Sequence, residues 1–144
     1  MTERIKQVEE NYKKGYNCAQ AVACAYCDLF GVAEQDAFRA VECFGRGMSV
    51  RATCGAVSAM AYLVGLKFSD GNLEKPGTKR FCYDFFEPMS EAFAAKNKST
   101  LCKDLKGIET GVPLRSCIGC MVDAAELVEQ YLLDNTEQHT TTDL

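Results

Sequence analysis

Apolar residues recur along this chain at helical spacing, and no segment alternates as a half-buried strand would. The first patterned segment runs from about Glu3 to Lys14 and stops at Gly15, a residue suited to ending a helix. The second opens at Asn17, with Gln20 three residues on, as in a capping box. It continues through Ala19, Ala21, Val22, Ala23, Cys24, Ala25 and Tyr26 to about Phe30, and Gly31 ends it. Its apolar residues lie all round, which predicts burial on most sides. The third spans about Glu34 to Cys43. The fourth, Cys54 to about Lys67, is small and apolar nearly throughout and is the candidate central helix. The fifth carries Phe81, Phe85, Met89 and Phe93 four residues apart on one face, a stripe that reads as core or dimer packing. Pro88 falls inside it and should kink or split it. The last opens at Ser116 and packs through Ala124, Leu127, Val128, Tyr131 and Leu132.

Between these segments lie Phe44-Gly45-Arg46-Gly47-Met48, a close-approach loop, a turn at Asp70-Gly71-Asn72, a break at Pro76-Gly77, and a loop from Gly107 to Arg115. The prediction is an all-α fold: a compact single-domain bundle of about six helices with a buried central helix. It covers residues 1–134, and the polar, Thr-rich stretch 135–144 is expected to be a disordered tail.

Charge narrows the function classes. The net charge is −4 and Lys and Arg are scattered, so no basic stripe marks a nucleic-acid partner. The N-terminal residues Met1 to Gln7 are charged and lack the apolar core of a secretory signal. The apolar run Ala56 to Leu66 is about half of the ~20 residues a membrane span needs. A cytoplasmic protein without membrane insertion is expected.

The nine cysteines change the picture most. An odd number excludes complete internal pairing, and the cytosol keeps thiols reduced. Metal binding or redox cycling explains them better than a disulfide framework. Three of them follow a helix-capping residue: Asn17-Cys18, Thr53-Cys54 and Ser116-Cys117. Cys102 follows Ser99 and Thr100 and is placed to open another helix. In a first helical turn, the dipole and unpaired N–H groups favour a thiolate, the form that attacks and binds metal. Four converging thiolates suit tetrahedral zinc or an iron–sulfur cluster, although the gaps match neither a zinc ribbon nor a ferredoxin run.

Two CxxC pairs stand beside this set. Cys117-Ile118-Gly119-Cys120 starts a helix and suits disulfide exchange, but lacks the βαβ setting of a thioredoxin fold. Cys24-Ala25-Tyr26-Cys27 is placed mid-helix and reads as core packing, with either thiol able to approach a neighbouring site. Neither pair precedes a histidine, which leaves covalent c-type haem unsupported. Cys43 and Cys82 read as packing residues. The sole histidine, His139, falls in the expected tail, which disfavours a Cys-His hydrolase. Gly45-Arg46-Gly47 admits a phosphate cradle with Arg46 and Arg51 as charge partners; a tight connection against a helix or cofactor is the simpler reading.

Several of these pieces together resemble a known family. They are Asn17-Cys18-Ala19-Gln20-Ala21-Val22, Phe44-Gly45-Arg46-Gly47-Met48, Cys54-Gly55-Ala56-Val57-Ser58-Ala59, Cys102-Lys103-Asp104-Leu105-Lys106-Gly107, and Cys117 followed by Val122-Asp123-Ala124-Ala125-Glu126-Leu127. In order and helix placement they resemble the C_GCAxxG_C_C family of redox-active proteins. The resemblance implies that the family's repeated cysteines are Cys18, Cys54, Cys102 and Cys117. Ala59 stands where the motif has its later glycine, and Cys120 is an addition that could replace or resolve Cys117. It implies redox activity, for which a bound iron–sulfur cluster is a common suggestion.

Three readings follow. The first is an electron-transfer protein, with Cys18, Cys54, Cys102 and Cys117 holding an iron–sulfur cluster, that works with a redox protein partner or an oxidoreductase. The second is a metal-free thiol–disulfide oxidoreductase, with Cys117 or Cys54 attacking and Cys120 or another cysteine resolving. The third is a structural zinc module. The apolar helices suit a homodimer as well as a monomer, and whether the chain is itself an enzyme stays open at this point.

Overall fold

The computed structural model describes residues 1–133, so the expected tail and His139 lie outside the described residues. Among the described residues the chain is helical and contains no strand. The α-helices are α1 (Glu3–Lys13), α2 (Cys18–Tyr26), α3 (Glu34–Ala40), α4 (Gly55–Phe68), α5 (Lys79–Asn97), α6 (Cys102–Leu105) and α7 (Cys117–Leu132). Short 3₁₀ turns follow α2 at Cys27–Phe30 and α3 at Glu42–Phe44.

Local chemistry sets the helix ends near the core. The Thr2 hydroxyl accepts from the Ile5 N–H at 3.2 Å and caps α1. Asn17 and Gln20 close both halves of the capping box at 2.9 Å each, as the sequence predicts. Ser116 caps α7 by accepting from the Gly119 N–H at 2.9 Å. Such caps contribute about 1 kcal/mol each.

Helix α2 is the most completely enclosed element: every residue from Ala19 to Tyr26 is buried. Its alanines let α1, α4 and α7 approach closely. Asn11 on α1 donates to the Ala21 carbonyl at 3.1 Å, which satisfies a buried amide across that contact. Tyr26 and Thr2 both donate to the Glu129 carboxylate at 2.6 Å, which ties the amino-terminal helices to α7. Helix α4 packs on α2, α5 and α7 through Val57, Met60, Leu63 and Val64. Each such side chain contributes roughly 1.5–3 kcal/mol on burial.

Three expectations need correction. Helix α5 runs unbroken through Pro88. The proline and Asp84, whose carbonyl loses its partner, are both on the exposed face, so water satisfies the freed group. The stripe on that helix is buried at Met89 and Phe93 and packs partly against the core at Phe85, but Phe81 is exposed and completes a ring cluster with Phe85 and Phe68, with centroids 4.5 Å (Phe68–Phe85) and 5.2 Å (Phe68–Phe81) apart. Cys43 is exposed rather than packed, because the Glu42–Phe44 turn carries it outward. Cys82 packs partly against the core as expected.

Candidate functional site

Cys18, Cys54, Cys102 and Cys117 open on one cavity of about 150 Å³, and Cys120 joins them there. The four come from the starts of four different helices. Cys18 and Cys117 are the first residues of α2 and α7, directly behind their caps. Cys54 departs from the expected arrangement. It occupies the cap position of α4 itself, so Thr53 is not the cap, and the N–H groups of Ala56 and Val57 point at its sulfur. Cys102 opens the single-turn α6 behind Leu101; Ser99 instead bonds Asp104 at 2.8 Å and the Leu101 N–H at 3.0 Å. A two-residue clamp aligns these two cysteines. The Cys54 N–H donates to the Thr100 carbonyl and the Cys102 N–H to the Ala52 carbonyl, both at 2.7 Å, around a bridge between Thr53 and Leu101.

The loop before α4 forms the wall behind the sulfurs. Arg46, Gly47, Met48 and Ser49 are consecutively left-handed, with φ of 58°, 62°, 58° and 68°, and Arg51 follows at 65°. Each non-glycine residue there costs roughly 1–2 kcal/mol relative to its ordinary conformation. Tertiary contacts hold the turn: the Ala52 N–H donates to Gly47 at 2.8 Å, and Ser49 donates to the Cys43 carbonyl at 3.1 Å. The turn aims the Arg46 N–H at the Cys18 sulfur, which accords with a tight connection more than with a phosphate cradle. A Cβ at position 47 would stand 2.6 Å from that of Cys102, and one at position 55 would stand 2.5 Å from the Cys18 sulfur. Glycine at both positions lets backbone lie directly against the thiols.

Three cations line the cavity: Arg46, Lys106 and Arg115. Arg115 is pinned to the buried Asp123 by bonds of 3.0 and 3.1 Å, and Gly119 leaves room for the guanidinium beside α7. Burial opposes ionisation of Asp123, but hydrogen bonds from Lys96, Arg115 and Asn97 outweigh it and hold its carboxyl below the usual range. Burial also opposes the charge on Lys106; attraction to Cys117, a hydrogen bond to that thiol and attraction to Cys102 prevail.

The thiols differ from one another. Burial, then the neighbouring Cys54, pushes the Cys18 thiol up to about 11, even though backbone N–H groups face it. Cys54 and Cys120 both line the cavity and act on one another's ionisation. Cys54 ionises below the ordinary cysteine range because of its neighbour Cys120, with Ala56, Val57 and Lys106 adding to the effect against burial. Cys120 is correspondingly pushed up.

The sequence from residue 16 to 131 matches the family described as Putative redox-active protein (C_GCAxxG_C_C). The chain belongs to the C_GCAxxG_C_C family. It is thus a cysteine-rich, all-α member of a family described as redox-active. No curated protein and no solved structure matches it. Among the described residues no helix is long and apolar enough to cross a membrane, and no group of three or more His, Cys, Asp or Glu is arranged to hold a metal ion.

The other CxxC pair lies apart. Cys24 and Cys27 pack with Ala37, and the Cys24 thiol is directed at the Glu34 carbonyl at 3.7 Å. Sequence reading missed Lys106, Arg115 and Tyr12 as cavity residues. Lys106, four residues after Cys102 on the same short helical turn, carried a readable signal; Arg115 depends on Asp123 and Tyr12 on how α1 packs, and neither had one.

Proposed function

We propose that the cavity holds an iron–sulfur cluster ligated by Cys18, Cys54, Cys102 and Cys117, and that the protein passes electrons to or from a redox protein partner or oxidoreductase. The observation that carries this reading is the meeting of four cysteines, from four helix starts, around one cation-lined cavity. The donor set fits the group: it is all sulfur, arranged round a space rather than on one point. Bound there, the cluster supplies a one-electron couple. The residues supply the rest. Burial first, and then the neighbouring thiol of Cys54, push Cys18 up to about 11, a cost that a bound cation centre would offset. N–H groups of Arg46 and Ala19 face Cys18, those of Ala56 and Val57 face Cys54, and the charge of Lys106 is attracted to Cys117. Such bonds to ligating sulfurs stabilise the anionic unit and tune its potential. Cys18 and Cys117 are half-buried while Cys54, Cys102 and Cys120 are buried. Electrons then pass through the side where the first two reach the surface.

The test is oxygen-free purification without a metal-affinity step, with iron, zinc and acid-labile sulfide measured beside a visible spectrum. Iron with sulfide and an absorption that bleaches on reduction is expected. Replacing any one of Cys18, Cys54, Cys102 or Cys117 by Ser should abolish or shift that absorption, whereas Cys120→Ser should keep it. Unchanged spectra in all four variants overturn the ligand assignment. Stoichiometric zinc without sulfide makes the centre structural instead.

A further inference from the structure

Two loops border the cavity. Residues 45–52 lead into α4 and supply Arg46 to its wall, while residues 106–115 leave α6 and supply Lys106 and Arg115. Five of the eleven exposed large apolar side chains among the described residues lie on these loops: Met48, Val50, Ile108, Val112 and Leu114, at 41–74% exposure. Apolar side chains gathered in this way mark an interaction site, as single exposed ones do not. Both loops are fixed against α6. The Ala52 carbonyl accepts from the Cys102 N–H at 2.7 Å, and the Leu105 carbonyl accepts from the Leu114 and Arg115 N–H groups at 2.9 and 3.3 Å. Gly107 folds the second loop back so closely that a Cβ there would stand 2.6 Å from the Pro113 nitrogen. The exposed side chains are thus carried on ordered backbone, which lowers the cost of binding. Charge on these segments is uneven. The chain is at −4, yet residues 42–51 and 102–115 hold five cations and three carboxylates. Those carboxylates are engaged: Glu42 accepts from Gln20 at 3.2 Å, Asp104 from Ser99 at 2.8 Å, and Glu109 pairs with Lys103 at 3.5 Å. Arg115 is committed to Asp123. Arg46, Arg51 and Lys106 make no ion pair among the described residues.

We propose that these two loops are the docking face for a small acidic electron-carrier protein, with Arg46, Arg51 and Lys106 meeting its carboxylates and the five apolar side chains meeting its apolar centre. The face adjoins the thiols that come nearest to solvent. Cys18 follows Asn17, whose amide donates to the Glu42 carbonyl at 2.8 Å and against whose side chain Gly45 presses. Cys117 stands two residues after Arg115, at the end of the second loop. Both thiols are half-buried, whereas Cys54 and Cys102 are buried. A protein seated on both loops therefore approaches the cavity from its more open side. Apolar contact framed by charge is the make-up of a transient protein interface, and unpaired cations select an acidic partner and speed its encounter. Three cations interleaved with five apolar residues do not form the basic stripe that tracks a phosphate backbone, and the net negative charge opposes a polyanion surface. The proposal rests on the electron-transfer reading for the partner's being an electron carrier; the binding of an acidic protein to this face is measured apart from it.

The test titrates the full chain, nitrogen-15-labelled and purified without oxygen, with an oxidised flavodoxin, a small acidic one-electron carrier. Saturable amide shifts should fall in residues 46–51 and 106–115. Raising the salt from about 20 mM to about 300 mM should weaken binding at least tenfold, since the pairing is between exposed charges. Arg51→Glu should weaken it by at least about tenfold, and Ile108→Ser/Val112→Ser by at least about fivefold, while Arg80→Gln, which alters an exposed cation on α5, should leave it unchanged. Reduced cytochrome c, a cationic carrier, should not shift these amides. No binding at low salt, shifts centred on α5 instead, equal binding of cytochrome c, or insensitivity to salt overturns the proposal; the salt and shift measurements on the natural chain decide it even where a variant fails to fold. Vesicles of phosphatidylglycerol or an oligothymidylate that bind the same amides as tightly as flavodoxin overturn it too, because the face is then a general polyanion surface. Iron and acid-labile sulfide are measured in the same sample. Docking without iron leaves the face standing and removes the cluster, whereas a loaded cluster without docking does the reverse.

Discussion

Two groups of cysteines sit in one helical chain under opposite electrostatic conditions. Cys54 in the cavity and Cys24 in the small α2–α3 core are almost equally hidden, at 7% and 8% exposure. Cys54 sits at a helix start, where its neighbour Cys120, then the N–H groups of Ala56 and Val57 and the charge of Lys106, outweigh burial, and it ionises below the ordinary range. Cys24 lies in the body of α2; burial, its neighbour Cys27 and Glu34 push it up to about 12, against a minor opposing pull from Lys14. Burial is the same at both, so it does not decide which thiol is reactive. Position on the helix and the sign of the nearest charges decide it.

The contrast is broken or sharpened most strongly by thiol reactivity. In the metal-free chain near pH 7, Cys54 should alkylate at least a thousandfold faster than Cys24. A pKa of about 12 leaves Cys24 with a negligible thiolate fraction, while even an ordinary cysteine near ~8.5 retains a few per cent. Site-resolved mass spectrometry with iodoacetamide over pH 6–9 measures both rates. Similar rates at the two sites would mean that access, and not charge, controls these thiols.

The anchors of the two regions differ in the same way. The cavity cation Arg115 is held by Asp123, whose side chain is 2% exposed and which also takes bonds from Lys96 at 2.7 Å and Asn97 at 3.1 Å. Near Cys24, Arg4 pairs with Asp28, whose side chain is 63% exposed. Asp123→Asn should destabilise the chain by about 2 kcal/mol at neutral pH, since it removes the buried charge that accepts from buried Asn97 and from the partly solvated Lys96 and Arg115. Asp28→Asn should cost under about 1 kcal/mol. The folded-state pKa of Asp123 lies below its unfolded value. Its contribution is therefore present above about pH 4 and lost as pH falls through the folded pKa. The stability gap between natural chain and Asp123→Asn, measured by urea unfolding from pH 7 to pH 3, should close toward the acid end. A gap independent of pH would refute the ionised role of Asp123.

The legible part of this site was the part written in local chemistry. Asn17 and Ser116 cap their helices as their residue types predict, and this places Cys18 and Cys117 in first turns. The helical class, and the Gly107–Arg115 loop, are likewise visible in spacing and in Gly and Pro. The rest was set by tertiary contacts. Nothing local says that Cys54 replaces Thr53 as the cap; the clamp between Ala52–Cys54 and Thr100–Cys102, fifty residues apart, sets where α4 starts. That Cys120 on α7 and Cys54 on α4 act on one another's ionisation is invisible for the same reason. The left-handed run from Arg46 to Ser49 opposes local preference and persists because the site around it holds it.

Helix α4 contains both environments along one rod, and its two glycines give the finest comparison. At Gly55 an added methyl would lie 2.5 Å from the Cys18 sulfur and 2.9 Å from the Phe44 carbonyl oxygen. At Gly65 nothing lies within 4 Å. Alanine in a helix gains roughly 0.5–1 kcal/mol over glycine. Gly65→Ala should therefore stabilise the chain by about that amount. Gly55→Ala starts with the same local gain but must push the Cys18 sulfur or the 44–45 backbone aside, and overpacking of this kind costs roughly 1–3 kcal/mol. It should be net destabilising by about 1 kcal/mol. Because the displaced atom is a cavity thiol, the variant should also shift the visible spectrum of the loaded protein, which Gly65→Ala should leave alone. Urea midpoints of the two variants, read together, separate helix propensity from the sulfur contact. Equal stabilisation in both would mean that the backbone at residue 55 does not press on Cys18, and that the narrow fit between α4 and the cavity plays no part in holding the thiols.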